Sequence, residues 1–152
     1  LWSGEPFSYA GQHYHVAQAH FLPKPLQQPR IPIWVGGFWP NKAPFRRAAK
    51  WDGMFPLFQT DDEAEELAQL EKAVAYVKAR RPQDQPFDVL CVGMTPGAEP
   101  ARAVATVEHY LQRGATWWME MIAPFMGGKG LDDAEWPVEA MRERVLQGPP
   151  IL

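Results

Sequence analysis

The sequence predicts an α/β fold of four consecutive strand–helix units, preceded by a β-hairpin arm. Three observations carry that expectation. From residue 31 onward, short apolar runs of strand type alternate four times with segments of helical period. The stretch before them, 23–29, is studded with prolines, which have no N–H to give to a regular ladder. Strands that alternate with helices imply a parallel sheet, because parallel neighbours need a crossover connection.

Residues 5–16 read as the hairpin, with Phe7-Ser8-Tyr9 and His13-Tyr14-His15-Val16 flanking a turn at Ala10-Gly11-Gln12. The segment 23–29 is expected to be an extended connector. Ile31-Pro32-Ile33-Trp34-Val35 is the first apolar strand, its proline near the start, where it is tolerated. Further strands are expected over 51–57, 87–94 and 116–122, and a short helix over 44–50. The helix over 63–80 is the clearest. Thr60 and Glu63 form a capping box, Leu67, Leu70, Val74 and Val77 make one apolar stripe, and Pro82 stops it. A third helix starts near Pro100, buries Val104, Val107 and Leu111, and ends at Gly114. The fourth runs over 137–147, with Gly148-Pro149-Pro150 behind it. Four such units close a small open sheet or make half of an eightfold barrel. A whole barrel takes ~250 residues, which this chain does not have.

Composition narrows the function. At 152 residues a single domain is expected, with 1–30 as hairpin and proline-rich arm and 31–152 as the four units. Hydrophobic residues at 46% and charged residues at 22% are those of a globular chain. A net charge of −3 gives no electrostatic footprint for nucleic acid, and no apolar run reaches the ~20 residues of a membrane span. The single cysteine, Cys91, excludes an internal disulfide, a cysteine zinc cluster and a CxxC pair, and points to a reducing cytoplasm. Seven tryptophans suggest an aromatic-lined cavity or interface. The chain opens at Leu1 with neither a start methionine nor a signal peptide, as a piece of a larger gene product would.

Two places carry candidate chemistry. The first strand runs into Val35-Gly36-Gly37-Phe38-Trp39-Pro40-Asn41-Lys42 and then a helix. Two glycines at a strand's end let backbone amides approach an anion, Asn41 caps the helix, and Lys42 adds a positive charge. This reads either as a phosphate cradle or as a tight turn that needs glycine only for its backbone angles. In the fourth strand, alternation puts Trp118, Glu120 and Ile122 on one face and Trp117, Met119 and Met121 on the other. A carboxylate there must be paired, hydrogen-bonded or protonated, so Glu120 either orients a ligand or pairs internally with an arginine. The four histidines make no convincing metal site: His13 and His15 share a strand face without a third ligand, and His20 and His109 read as surface or core residues. Gly127-Gly128-Lys129-Gly130 fails the Walker pattern, with Ala123 where a glycine belongs and Gly130 where Ser or Thr belongs. No nucleophilic triad is suggested, and the catalytic residues are unassigned.

The residues also carry a resemblance. The run from Leu22 through Pro23-Lys24-Pro25 and Ile31-Pro32-Ile33-Trp34-Val35-Gly36-Gly37 resembles the fifth-strand entry of the bacterial luciferase-like monooxygenases. Arg47-Ala48-Ala49-Lys50-Trp51-Asp52-Gly53 is similar to the sixth-strand entry, Val92-Gly93-Met94-Thr95-Pro96-Gly97 to the seventh-strand exit, and Gly114-Ala115-Thr116-Trp117-Trp118-Met119-Glu120 to the eighth strand. The ending Gln147-Gly148-Pro149-Pro150 also fits. The resemblance implies half of a TIM-type (β/α)8 barrel, strands five to eight, from a flavin-dependent oxidoreductase whose first four strands supply most catalytic residues. It implies FMN or the deazaflavin coenzyme F-420 as cofactor, with Gly36, Gly37 and Phe38 offering amides to its phosphate and Lys42 beside them. Trp118 and Glu120 would line the mouth near the cofactor ring or an unknown small-molecule substrate. The expected partner is a second copy or the N-terminal half of the barrel. The alternative is a non-catalytic, flavin-binding or structural half-barrel that self-assembles.

Overall fold

The computed structural model describes residues 2–128 and 130–152, so Lys129 of the glycine-rich loop lies outside the described residues. The chain divides into two compact units, residues 1–32 and 33–152.

The first unit holds the hairpin, β1 (Phe7–Ala10) and β2 (His15–Ala19), paired antiparallel with Tyr9 opposite Val16. Its second strand starts two residues later than the sequence suggests. The Gly11 N–H donates to the Tyr14 carbonyl at 2.8 Å, which draws residues 11–14 into a longer turn. The rings of Phe7 and Phe21 stack at 5.9 Å.

The second unit holds four parallel strands in the order β3 (Trp34–Phe38), β4 (Gly53–Leu57), β5 (Asp88–Gly93) and β6 (Trp117–Glu120). Helices α1 (Lys42–Ala48), α2 (Glu63–Lys78) and α3 (Pro100–Leu111) connect them, and α4 (Val138–Gln147) follows a 3-10 turn at Pro124–Gly127. This α/β arrangement, with the hairpin unit before it, is consistent with half of a TIM-type barrel.

Strand β3 begins three residues beyond its expected start. Pro32 has no N–H, and the Ile33 N–H donates to the Asp52 carboxylate at 2.7 Å, so pairing starts at Trp34 opposite Gly53. Asn41 caps α1 as expected, accepting from the Ala43 N–H at 3.2 Å. The cap of α2 is not the Thr60–Glu63 box. Asp62 accepts from the Glu65 N–H at 2.9 Å, while the Thr60 hydroxyl donates to the Glu65 carboxylate at 2.8 Å. The cap stands two residues later than expected, and its own N–H is taken by the Thr60 hydroxyl oxygen at 3.2 Å rather than by an acid side chain. The α2 stripe of Leu67, Leu70, Val74 and Val77 is buried in full. In α3 the buried residues are Ala103, Val107 and Tyr110, with Val104 and Leu111 half-buried at the stripe's edges.

Alternation gives the sheet two different faces. Val35, Met54, Val89, Cys91 and Trp118 point to the helices and join one core with Phe45, Leu70, Val77 and Tyr110. The opposite face carries Trp34, Gly36, Phe38, Phe55, Leu57, Leu90, Val92, Trp117 and Met119, and Phe38 and Trp117 remain about half exposed on it. Near the strands' N-terminal ends a row of side chains crosses this open face. The Trp34 indole lies over Gly53, where a Cβ would meet its Cδ1 at 2.5 Å. It thereby reaches Asp88 on β5, donating Nε1–H to Oδ2 at 3.0 Å. The other oxygen of Asp88 accepts from Trp117 Nε1 at 3.1 Å, and the two indoles meet at 5.7 Å between centroids.

The middle of the sheet splays. Leu57 O accepts from Trp39 N, so by parallel alternation Pro56 is oriented toward β5, where it has no N–H to give. Pairing of β4 with β5 accordingly stops at Met54 opposite Val89.

Candidate functional site

The residues singled out at the strand ends separate onto two sides of the sheet. Gly36 and Gly37 lie within β3, opposite Phe55 and Pro56, rather than in the turn after it. That turn is made by the cis Trp39–Pro40 peptide. Gly37 faces α1, where a Cβ would run into the Pro44 ring, so its missing side chain is what lets the helix pack this close. Gly36 faces the other way. A Cβ there would touch only the Phe55 carbonyl oxygen, at 3.8 Å, and the backbone is open to the surroundings.

The amides sort by the same alternation. Trp39 N–H is taken by Leu57 O at 2.9 Å and Asn41 N–H by Phe38 O at 3.1 Å. Gly37 shares the Trp39 side, so the Gly36 and Phe38 N–H groups are directed to the edge of β3 that has no neighbouring strand among the described residues. Phe38 ends the strand with its ring 51% exposed on the open face. Lys42 stands on the helix side, its ammonium 3.4 Å from the Trp39 ring centroid and 4.7 Å from that of Tyr76. This cation–π seat places the charge near the turn and holds it there.

Trp118 and Glu120 belong to the helix-covered face. Trp118 packs on Tyr110 at 5.0 Å and spreads over Gly93, where a Cβ would meet its Cη2 at 2.5 Å. Glu120 is the centre of a polar knot. It accepts from the Thr95 N–H at 2.7 Å, the Thr95 hydroxyl at 3.0 Å and Trp118 Nε1 at 3.0 Å. Arg144, reaching in from α4, lies 3.3 Å from Glu120 and also donates to the Thr95 hydroxyl at 2.9 Å and the Gly148 carbonyl at 2.6 Å. With Arg144 only 4% exposed and Glu120 14%, this is an internal ion pair, one of the two readings the strand pattern allowed.

The knot's other members escaped the sequence reading. Arg144 sits in a helix of otherwise ordinary surface pattern, and its one signal is spacing: Met141, Arg144 and Gly148 fall on the same helical face. A second group gathers where β4 and β5 splay, around a small cavity of about 140 Å³ lined by Pro56, Leu57, Phe58, Glu66, Cys91 and Val92. Burial pushes the Cys91 thiol up to about 12, so it is not a thiolate nucleophile. Burial also raises the Glu66 carboxyl above its ordinary value, against the lowering effect of its hydrogen bond with Tyr110. Among the described residues no group of three His, Cys, Asp or Glu side chains is placed to hold a metal ion, and no helix is long and apolar enough to cross a membrane.

What the arrangement offers is an apolar open face, two edge-directed amides beside a residue without a side chain, and a braced scaffold behind them. The model of one protein family, described as luciferase-like monooxygenase, matches residues 1–144.

Proposed function

The chain belongs to the luciferase-like monooxygenase family, and from that premise we propose that it forms one wall of a flavin- or deazaflavin-dependent oxidoreductase barrel and holds the cofactor's phosphate at the end of β3. The observation that carries this reading is Gly36. It is the position where the backbone of the open face is bare: a Cβ there would touch only the Phe55 carbonyl oxygen, so a ligand can lie directly on the strand beside the edge that carries the Gly36 and Phe38 N–H groups. Phe38 offers an exposed ring beside them, and Lys42 contributes charge from the flank. Gly37 serves the site indirectly, by letting α1 seat against the strand. Glu120 and Trp118 act from the helix-covered side, fixing β6 rather than touching the ligand. When bound, FMN or coenzyme F-420 supplies the electron pair for oxidation or reduction of a small-molecule substrate; the chain's own residues bind and orient.

The same reading needs a partner. The open face is apolar, and the outer edges of β3 and β6 have no neighbouring strand among the described residues. A second copy related by a twofold axis along the barrel would bring the free edges of β6 and β3 toward each other with all strands still parallel, the ligand's phosphate and not a ladder taking the Gly36 and Phe38 N–H groups at the end of β3. The N-terminal half of such a barrel would meet the same need.

Visible absorption during titration with FMN, and separately with the deazaflavin, tests the cofactor reading. A bound chromophore with a shifted band is expected, and Gly36→Val should abolish the shift while the fold is kept. An unchanged affinity in Gly36→Val would sink the phosphate assignment. Sedimentation equilibrium at micromolar concentration tests the partner: a dimer is expected, and a monomer with a cooperative melt rules out self-assembly. Oxygen-dependent loss of NADH with added FMN separates a catalytic assembly from a binding one.

A further inference from the structure

A second charged feature lies away from the β3 site and has no part in the reading above. Helix α1 and the residues after it carry Lys42, Arg46, Arg47 and Lys50, with no acidic residue between Asn41 and Trp51. A spacing of four places Lys42 and Arg46 along one line of the helix, and Lys50 follows four residues on, in the turn after it. At the end of α2, Arg80 turns back, its guanidinium 3.6 Å from the Tyr76 ring and donating to the Tyr76 carbonyl at 2.9 Å. Arg46, Arg47, Lys50 and Arg80 line one cleft of about 530 Å³, whose remaining walls are Ala43 and Ala49. Among the described residues no carboxylate lines it. The side chains of Arg46, Arg47 and Lys50 have no hydrogen-bond or ion-pair partner among the described residues, where the Lys50 N–H donates to the Arg47 carbonyl through the backbone alone.

Basic residues in the last turn of a helix complement its dipole, and that accounts for Arg46 and Arg47 singly. It does not account for the convergence. Lys50 and Arg80 lie beyond the ends of their helices, and four like charges in one concavity repel each other unless an anion enters. The chain as a whole is acidic, at −3, so this clustering runs against its average. The small alanine walls leave room between the cations. The planar forks of three arginines match phosphate oxygens two at a time, and the lysine adds a point charge. Arg80 is already held by its ring and carbonyl contacts, so ordering it on binding loses little entropy.

We propose that this α1–α2 cleft is a binding site for a phosphate chain, of the diphosphate class found in pyrophosphate and nucleotides, separate from the site at Gly36. Four cations exceed the charge of one orthophosphate, and linked phosphates match it better.

Isothermal titration of the full chain with inorganic pyrophosphate, and separately with orthophosphate, tests it. Pyrophosphate is expected to bind at one cleft site per chain, about tenfold or more tighter than orthophosphate, and to weaken as salt is raised. The double variant Arg46→Gln/Arg47→Gln should weaken it about tenfold or more with an unchanged melt, since both side chains are exposed. Arg102→Gln/Arg142→Gln, which removes two cations from exposed pairs with Glu99 and Glu139, should leave it unchanged. Equal affinity in the Arg46/Arg47 variant, or equal loss in the Arg102/Arg142 variant, overturns the cleft assignment. Tighter binding of a short single-stranded oligonucleotide than of pyrophosphate, lost in the Arg46/Arg47 variant, overturns the small-ligand class and gives the cleft to nucleic acid.

Discussion

Glu120 and Arg144 form an ion pair of 3.3 Å that joins the end of β6 to α4, with each partner also hydrogen-bonded to Thr95. The pair is internal, and it converts the last helix from a surface appendage into a fixed part of the strand ends. Removing the carboxylate charge leaves the guanidinium buried among neutral groups. Glu120→Gln is therefore expected to cost ~3–5 kcal/mol of stability in a denaturant melt. The double variant Glu120→Gln/Arg144→Met should recover a large part of that loss, because the stranded charge is gone. Additive losses in the double variant would contradict the pairing.

The adjacent glycines of β3 should separate cleanly. Gly37→Ala drives a methyl into the Pro44 ring and is expected to cost ~1–3 kcal/mol by overpacking. Gly36→Ala meets only a carbonyl oxygen at 3.8 Å and should leave the melt within ~0.5 kcal/mol of the parent. Thermal melts of the two variants side by side measure this directly.

Asp88 accepts from two indoles at once. Asp88→Ala removes both acceptors and should cost ~1–3 kcal/mol, each hydrogen bond to a charged group being worth more than a neutral one but Trp117 being half exposed. The change should also appear in tryptophan fluorescence, as a shift of the emission maximum on loss of the clamp.

Glu66 gives a pH dependence with a definite sign. Its folded pKa is raised by burial above the ordinary 4.5, so the folded state holds the proton more tightly than the unfolded chain. The stability this group contributes is complete below 4.5 and is lost as pH rises through the folded value. Glu66→Gln keeps an oxygen to accept from Tyr110 and cannot ionise. It should stabilise the protein at neutral pH and flatten the decline in stability above pH 4.5, as read from urea midpoints across that range.

The parts of the structure that were legible in the sequence are those that local chemistry decides. The α2 stripe repeats every three or four residues and buries as its spacing requires, and Asn41 caps α1 from two residues away. The start of β3 was not legible, because the Ile33 amide is claimed by Asp52, nineteen residues downstream. The Trp34–Asp88 bond spans fifty-four residues and the Arg144–Thr95 bond forty-nine, and no window of the chain displays such a pairing. At the candidate site, two adjacent glycines read as one motif. Only the pleat reveals that one faces a helix and the other open space.

The Trp34–Asp88–Trp117 row bears on how such a sheet holds its order. Four strands spaced by ~4.8 Å put β3 and β6 roughly 14 Å apart along the sheet, and their indoles reach across to meet at 5.7 Å. Two long side chains thus tie the first strand to the fourth over the backs of the two between them, with Gly53 cleared from beneath and one carboxylate as the common anchor. The tie uses only residues of the segment itself. The first and last strands are therefore tethered independently of the backbone ladder, which is the property a segment with two free edges requires.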